Sequence, residues 1–164
     1  MTTSNRIITE LLDFTRRHEP ERVETSVNAV VRDYLDRVGA PDGVELIVNL
    51  ADDLPDIQAD PHHLGMVLGN LVRNAGQAMP AGGRLRIETA RDAQGDIRLS
   101  VSDSGVGIPP EHRERIFEPL FSTRTTGSGL GLAVVKRLTE ANGDAVEVAS
   151  EPGQGSRFTV RFAR

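Results

Sequence analysis

Alternation between apolar and polar residues limits the fold of this chain more than any other feature of its sequence. It is clearest at residues 84–89, 97–102 and 158–162. Side chains along a β-strand point alternately to the two faces of a sheet, so each of these strands has one buried face and one solvated face. A doubly wound nucleotide-binding fold requires strands that are apolar on both faces, and these strands are not. The pattern therefore predicts a sheet that is covered by helices on one face only.

Three segments with a helical pattern are predicted to cover the buried face of the sheet. Apolar residues recur at helical spacing in residues 26–38, in a long segment that begins at Asp60, and from about 129 to 141. Asp60 is a typical N-cap residue, and the proline that follows it suits the first helical position. Further strands are predicted at residues 44–50 and 146–148. Together these elements predict an α/β fold, a two-layer α/β sandwich with a mixed sheet.

The length of 164 residues suits one domain with a short appendage. The appendage is residues 1–20, where a short helical pattern over residues 5–16 ends before Pro20, and residues 21–164 form the domain. A formal net charge of −5 argues against binding to nucleic acid or to an anionic membrane surface. The chain has no cysteine, no run of about 18 apolar residues and no signal-peptide core. Its expected location is therefore the cytoplasm.

Asp103 stands at the end of an alternating strand and is followed closely by Gly105 and Gly107. An aspartate in such a place can be an ordinary turn residue. Its carboxylate would also accept a hydrogen bond from the exocyclic amino group of adenine, and it would repel guanine, which presents an acceptor there. The two glycines would let the backbone pass a flat ring without a Cβ clash.

Asn70, Asn74 and Gln77 are spaced so that they form a polar stripe along one helix. A solvated helix flank is the simplest interpretation of such a stripe. The alternative is a metal site in which Asn74 offers its carbonyl oxygen to Mg²⁺. That ion prefers oxygen ligands and usually takes most of them from phosphates and water.

Gly127, Gly129 and Gly131 lie at the N-terminus of a predicted helix. Backbone N–H groups and the helix dipole favour a phosphate at such a place, and a plain turn does not require three glycines. Arg124 would either pair with a γ-phosphate or be a solvated loop charge. The segment is not a Walker loop, because no Gly-Lys-Ser/Thr follows, and its spacing does not fit a dinucleotide fingerprint.

The connection over residues 103–128 is long, rich in Gly and Pro, and has few residues that would anchor it, so we expect a flexible lid. Its middle carries a group of four apolar residues, namely Ile116, Phe117, Leu120 and Phe121. These residues either pin the lid to the core or form a docking patch. The sequence leaves both interpretations open.

Taken together, the motifs resemble those of the catalytic and ATP-binding domain of bacterial sensor histidine kinases, within the Bergerat-fold (GHKL) superfamily. The Asn box, the first glycine box, the Phe box and the two later glycine boxes of that family correspond, in order, to residues 70–75, 103–109, 116–124, 127–132 and 153–156. The resemblance extends from about residue 22 to the end of the chain. The amino-acid sequence of residues 74–80 is most similar to that of the nitrogen-regulation type of sensor kinase.

This resemblance implies a Bergerat fold with a flexible ATP lid, the cofactors ATP and Mg²⁺, and transfer of the γ-phosphoryl group to a histidine. It implies catalytic roles for Asn74 and Arg124, with Asn74 as the metal ligand. The binding residues that it implies are Asn70, Asn74, Gln77, Asp103, Gly105, Gly107, Ile108, Arg124, Gly127, Ser128, Gly129, Leu130, Gly131, Leu132 and Ser156.

The sequence also departs from the family pattern. The phosphoacceptor helix is absent, His18 lacks the surrounding pattern of a phosphoacceptor, and residues 5–20 resemble the end of the second dimerisation helix. We interpret His62, His63 and His112 as lone surface histidines. The resemblance therefore implies that the acceptor histidine lies on a dimerisation domain not present in this chain, and that a response regulator is an indirect partner.

Other functions are weaker alternatives. Hydrolytic relatives place a water-activating glutamate where this chain has Asn70, an amide that cannot act as a base. Anti-sigma serine kinases are stand-alone versions of the fold and would not carry the apolar remnant at residues 7–12. A non-catalytic alternative is a nucleotide-gated interaction module, in which the lid orders on ATP and presents Phe117 and Leu120.

Overall fold

The computed structural model describes residue 5 and residues 8–9, 11–12, 19–121 and 129–163. The strands are β1 (Val23–Thr25), β2 (Val44–Leu50), β3 (Ile57–Ala59), β4 (Gly83–Arg91), β5 (Ile97–Asp103), β6 (Ala145–Glu151) and β7 (Gly155–Phe162). The helices are α1 (Val27–Arg37), α2 (Pro61–Gln77) and α3 (Gly131–Ala141), with a 3-10 turn at Pro110–His112. The main sheet has five strands in the order β2-β4-β5-β7-β6.

The main sheet is mixed, as predicted. Strands β2 and β4 run parallel, and the other three neighbouring pairs run antiparallel. The inward side chains of the alternating strands, such as Leu85, Ile87 and Leu99, are fully buried. They share one core with the apolar faces of the three helices. The structure confirms the two-layer α/β sandwich.

The opposite face of the sheet is polar and carries charge. Arg98 and Arg161 lie directly opposite each other on β5 and β7, and like charges in that position destabilise a sheet. Each arginine has a carboxylate partner: Arg98 Nε is 3.1 Å from Asp92 Oδ2, and Arg161 Nε is 3.1 Å from Asp96 Oδ2. These ion pairs offset the repulsion between the two arginines.

A separate two-stranded sheet of β1 and β3 was not predicted. Each strand has three residues, which is too short for alternation to be recognised. The buried Thr25 hydroxyl links the two strands, since its oxygen lies 3.0 Å from the Ala59 carbonyl oxygen. This small sheet brings the incoming chain beside the start of α2.

Asp60 caps α2 as predicted, and it does more. Its Oδ1 accepts hydrogen bonds from the amides of His62 (2.9 Å) and His63 (3.1 Å), while its Oδ2 accepts one from the Glu21 amide at 2.9 Å. The Asp60 amide in turn donates to Asn142 Oδ1, at the end of α3, at 3.3 Å. One aspartate therefore holds together the incoming chain and the ends of two helices.

The prediction that His63 is a surface histidine is wrong. It is 9% exposed and lies on the core side of α2. Its Nδ1 is 3.3 Å from Asn142 Nδ2, and its Nε2 is 3.7 Å from Asp60 Oδ2. The helical period turns His63 inward and leaves the adjacent His62 exposed, while His112 is half-buried.

The predicted helix over residues 5–16 is described only in part. Residues 5, 8–9 and 11–12 are helical and exposed. The other residues of that segment, and His18, lie outside the described residues, so the domain boundary at residue 20 stays a prediction. Within the part of the chain that the structure describes, no helix is both long and apolar enough to cross a membrane.

Candidate functional site

Asp103 ends β5 on the helix-covered face of the sheet. It is 7% exposed and lies between its direct register partners, Leu85 on β4 and Ser156 on β7. Its Oδ1 accepts a hydrogen bond of 2.9 Å from the Gly105 amide, which closes a tight turn. The carboxylate is therefore fixed at the point where the sheet ends and the loop begins.

Gly105 and Gly107 are required by the packing of the protein itself. A Cβ on Gly105 would overlap the Ala78 carbonyl at the end of α2, and a Cβ on Gly107 would overlap the Glu151 carbonyl. Gly107 also has a φ of +75°, which disfavours other residues. The expectation that these glycines let the backbone pass a flat ligand ring stays a prediction. The structure gives them a different reason, since they let the loop fit between α2 and the β6–β7 hairpin.

A serine that no sequence motif indicates joins this loop to the last hairpin. The Ser150 Oγ lies 2.8 Å from the Ile108 amide nitrogen, 3.0 Å from the Gly155 carbonyl oxygen and 2.8 Å from Ser156 Oγ. The Ser150 carbonyl accepts a hydrogen bond from Arg113. Only the pairing of β6 with β7, which places Ser150 opposite Ser156, reveals this position.

Helices α2 and α3 form the second half of the site. Asn70 and Asn74 are half-buried on α2, and Gln77 is its last residue. A Cβ on Gly131, the first residue of α3, would lie 3.8 Å from Asn70 Oδ1, so the Asn70 end of the predicted polar stripe faces the start of α3. Among the described residues no side chain caps that start, and the backbone N–H groups of a helical first turn suit an anion.

The residues on α2 fit the chemistry of Mg²⁺. Amide oxygens are the kind of ligand that this ion prefers, and a neighbouring helix start would bring phosphate oxygens. Asn70 Oδ1 accepts a hydrogen bond of 2.9 Å from Arg73. Because position 70 holds an amide rather than a carboxylate, it supplies no base to activate water.

The remaining predicted binding residues lie at the start of α3 and before it. Arg124, Gly127 and Ser128 are outside the described residues, and their roles stay predictions. Leu130 is 1% exposed, so only its backbone can contact a ligand. Leu132 is partly buried and packs against the core.

Leu120 and Gly129 form a backbone bridge between the two sides of the lid. The Leu120 amide donates to the Gly129 carbonyl at 2.8 Å. Both residues have left-handed backbones, with φ of +67° and +76°, and a Cβ on Gly129 would overlap the Leu120 backbone. A leucine in this conformation costs about 1 kcal/mol or more. Only glycine fits at position 129.

The prediction that the lid has few anchors is wrong for residues 103–118. Ile108 and Ile116 are buried in the core, and Phe117 packs edge-on against Phe158 with ring centroids 6.2 Å apart. Apolar side chains of this size each gain on the order of 1.5–3 kcal/mol when fully buried. This part of the predicted lid is therefore held by the core.

The two interpretations of the apolar lid residues apply to different residues. Phe117 packs against the core here, and its presentation together with Leu120 on binding of ATP stays a prediction. Phe121 is half-buried, with the Arg115 guanidinium 4.5 Å from its ring centroid and the His112 ring at 5.5 Å. Leu120 is 70% exposed. Of the four apolar residues, only Leu120 is exposed enough to act as a docking residue.

A second polar cluster lies where α2 begins and α3 ends, away from Asp103. A small cavity there is lined in part by Asp60, Asn142 and Asp144. Burial raises the pKa of Asp144 to about 6, against the opposing effects of a hydrogen bond from the Ala163 amide and the charge of Arg22. No sequence motif indicated this cluster.

A protein family and several known proteins are similar to the part of the chain that contains this candidate site. The family described as histidine kinase-, DNA gyrase B-, and HSP90-like ATPase matches residues 59–164. The signal transduction histidine-protein kinase AtoS of Escherichia coli (strain K12) is 37% identical over 95% of this chain and 26% of its own length. The sensor histidine kinase ZraS of Escherichia coli O157:H7 is 38% identical over 95% of this chain and 34% of its own. The chain therefore spans about a quarter to a third of these curated relatives.

Solved structures agree with the sequence relatives. Full-length ShkA in complex with AMPPNP superimposes with a TM-score of 0.83 at 32% identity, over 96% of this chain and 35% of ShkA. The mycobacterial sensor histidine kinase MprB gives a TM-score of 0.71 at 31% identity, over 89% of this chain and 97% of that one. The similarity covers nearly the whole of this chain.

The fold and the site together define an ATP-binding domain of the kind found in sensor histidine kinases. The features that define it are a mixed sheet with helices on one face, Asp103 at the end of β5 before a glycine loop, and the Asn70 amide that faces the start of α3. The chain belongs to the histidine kinase-, DNA gyrase B-, and HSP90-like ATPase family. The resemblance to the sensor kinases is confirmed.

Proposed function

We propose that this domain binds Mg-ATP and donates the γ-phosphoryl group to a histidine on a dimerisation domain, in two-component signal transduction. The phosphorylated histidine would then supply a response regulator. The reaction requires a compartment with ATP, which for such a kinase is the cytoplasm. The curated relatives that support this proposal are described as sensor histidine kinases.

The observation that carries the proposal is the position of two recognition elements on one side of the sheet. Asp103, a hydrogen-bond acceptor, lies at the end of β5, and the start of α3, which no described side chain caps, faces the amide of Asn70. The first element suits a base with an exocyclic amino group, and the second suits phosphates. ATP has both features.

Positioning and charge stabilisation account for most of the catalysis of phosphoryl transfer. Asn74 would hold Mg²⁺, which when bound neutralises charge on the phosphates. The start of α3 would orient the phosphate chain, and Arg124 would stabilise charge on the γ-phosphoryl group. The attacking imidazole, and any base that activates it, would come from the dimerisation domain.

The experiment is phosphate transfer from radiolabelled ATP to an added histidine-bearing dimerisation domain. We expect labelling with the unchanged chain, and loss of labelling with Asn74→Ala while its thermal stability stays nearly the same. Nucleotide binding by this variant should lose much of its Mg²⁺ dependence. Asn49→Ala, which removes an exposed amide on β2, is the matched control and should label normally. Unfolding of Asn74→Ala would instead make Asn74 a structural amide.

The isolated chain should show almost no catalytic output of its own. Asn70 stands where hydrolytic relatives carry the base, so ATP turnover without the dimerisation domain should be very slow. We also expect no stable phosphate on any histidine of this chain. Brisk multiple-turnover hydrolysis would overturn the assignment.

A nucleotide-gated interaction module is the second candidate function. The exposure of Leu120 beside the bridge to Gly129 favours it, because an exposed leucine in an unfavourable backbone conformation suits a contact with another protein. In that case a partner would bind only in the presence of ATP, and no phosphate would be transferred to it. The labelling experiment separates the two functions.

A further inference from the structure

We propose that Ser150 determines the selectivity of the site for adenine over guanine by fixing the direction in which the Ser156 hydroxyl proton points. This inference rests on the proposed function, because it assumes that a purine base lies against Asp103. Ser150 would not contact the base. It would act through Ser156 as a positioning residue.

The three residues form one row across three neighbouring strands. Ser150 on β6 lies opposite Ser156 on β7, and Ser156 lies opposite Asp103 on β5. Residues that face each other in a sheet point to the same side, so all three point to the side covered by helices. Each is 7% exposed. Buried hydroxyl groups of this kind are nearly always satisfied by hydrogen bonds, so the directions of their protons follow from their partners.

The partners of Ser150 determine which hydroxyl donates. A serine hydroxyl has one proton and two lone pairs. Ser150 Oγ receives the Ile108 amide proton at 2.8 Å, and it lies 3.0 Å from the Gly155 carbonyl oxygen, which can only accept. The single Ser150 proton is therefore given to Gly155. The 2.8 Å contact between the two hydroxyl oxygens must then be a bond that Ser156 donates to Ser150.

In this assignment the Ser156 proton is used in the bond to Ser150. Ser156 therefore presents only acceptor lone pairs toward Asp103. Asp103, beside it, is a carboxylate and also accepts. Two neighbouring acceptors match the exocyclic amino group of adenine, which has two N–H groups, either directly or through water. Guanine has a carbonyl oxygen at the same ring position, and neither group would donate to it. The row therefore discriminates through Ser156 as well as through Asp103.

Ser150 also has a structural role, because it binds the Ile108 amide and its carbonyl accepts from Arg113. Loss of that role would weaken the binding of every nucleotide. Loss of the selectivity role would instead change the ratio of the affinities for ATP and GTP. The ratio is therefore the quantity to measure.

The experiment displaces a fluorescent ATP analogue from the whole chain with ATP and, separately, with GTP. In Ser150→Ala the Ser156 hydroxyl is free to rotate and to donate to the guanine carbonyl. We expect the preference for ATP to fall by roughly tenfold, mostly through tighter GTP binding, since one hydrogen bond is worth about that factor. Ser150→Thr keeps a hydroxyl and should restore the preference.

Two further variants make the test specific. Ser100→Ala removes another buried serine, whose hydroxyl pairs with Thr159 Oγ1 at 3.0 Å on the other face of the sheet, and it should leave the ratio unchanged. Adding Ser156→Ala to Ser150→Ala should remove the gain in GTP binding, because the hydroxyl that turns is gone. Should Ser150→Ala fold poorly, Ser156→Ala alone still tests the idea, and we expect it to weaken ATP more than GTP.

The outcomes distinguish this inference from the function on which it rests. A chain that binds no ATP would overturn both. Binding of ATP with an equal loss of ATP and GTP affinity in Ser150→Ala, or the same change of ratio in Ser100→Ala, would overturn the role of Ser150 and leave the proposed function intact.

Discussion

Replacing Asp60 with asparagine separates two interactions that one side chain makes. Asp60 Oδ1 caps α2 through the amides of His62 and His63, and Oδ2 holds the amide of Glu21. Asparagine has the same shape and is an equally good cap. Its amide oxygen can replace Oδ1, but its NH₂ group would then face the Glu21 N–H, donor against donor.

The expected loss of stability follows from that geometry. A hydrogen bond to a charged acceptor contributes about 1.5–3 kcal/mol, and Asp60→Asn removes one such bond while keeping two. Asp60→Asn also removes the carboxylate charge beside His63 Nε2, which lies 3.7 Å from Asp60 Oδ2. We therefore expect the free energy of unfolding to fall by about 2 kcal/mol at neutral pH.

The loss should depend on pH in a defined direction. Burial acts to raise the pKa of Asp60, but the hydrogen bonds from Glu21, His63 and His62 and the charge of His63 outweigh it, so the pKa lies below its ordinary value. A carboxyl group with a lowered pKa stabilises the folded state above its ordinary pKa, and this contribution is lost as the pH falls through the folded-state pKa. The difference between the two proteins should therefore shrink below about pH 4.

Urea unfolding at several pH values and amide hydrogen exchange test this reasoning together. The Glu21 amide should exchange faster in Asp60→Asn, and the His62 and His63 amides should keep their protection. Asp36→Asn, on the exposed side of α1, controls for the removal of one negative charge. Unchanged protection of Glu21 together with a loss below about 0.5 kcal/mol would refute the separation of roles.

Four further outcomes are expected. Asp103→Asn should weaken ATP binding by roughly ten- to a hundredfold in a titration, because it replaces an acceptor with a donor. Asp144→Asn should raise the free energy of unfolding by about 1–3 kcal/mol above pH 6 and by little below pH 4, since a pKa raised to about 6 means that stability falls as the pH rises through that range. Gly107→Ala should lower the melting temperature through a left-handed backbone and an overlap with Glu151. Leu120→Ser should leave ATP affinity within a few-fold and reduce labelling of an added dimerisation domain, whereas Phe117→Ser should lower the melting temperature as well.

The parts of the fold that follow from local patterns could be predicted from the sequence. Alternation located the strands that end at Asp103 and Phe162, and the Asp60-Pro61 pair located the start of α2, because both signals lie within a few residues. The exposed and buried faces of the main sheet followed for the same reason.

The parts that depend on pairing between distant residues could not be predicted. Strands β1 and β3 are short and find each other only in the folded chain. His63 finds the partner for its buried ring, Asn142, only 79 positions later in the chain. Ser150 gains its role from its neighbours across the β6–β7 hairpin. In the candidate site, the residues were predicted from motifs, whereas the packing that requires Gly105 and Gly107 appeared only with Ala78 and Glu151 in place.

Helix α2 has a mechanical consequence. Its capping residue, Asp60, is bonded to the incoming chain, and Asn74 lies 14 positions later on the same continuous helix, about 21 Å away at 1.5 Å per residue. A rod of that length converts a tilt of roughly 5° at the cap into a displacement of about 2 Å at Asn74. Misplacement of reacting groups by about 1 Å is enough to slow a reaction about a hundredfold. A small change in the direction from which the chain enters the domain is therefore magnified by leverage into a large change at Asn74, the amide for which we propose a role in binding Mg²⁺.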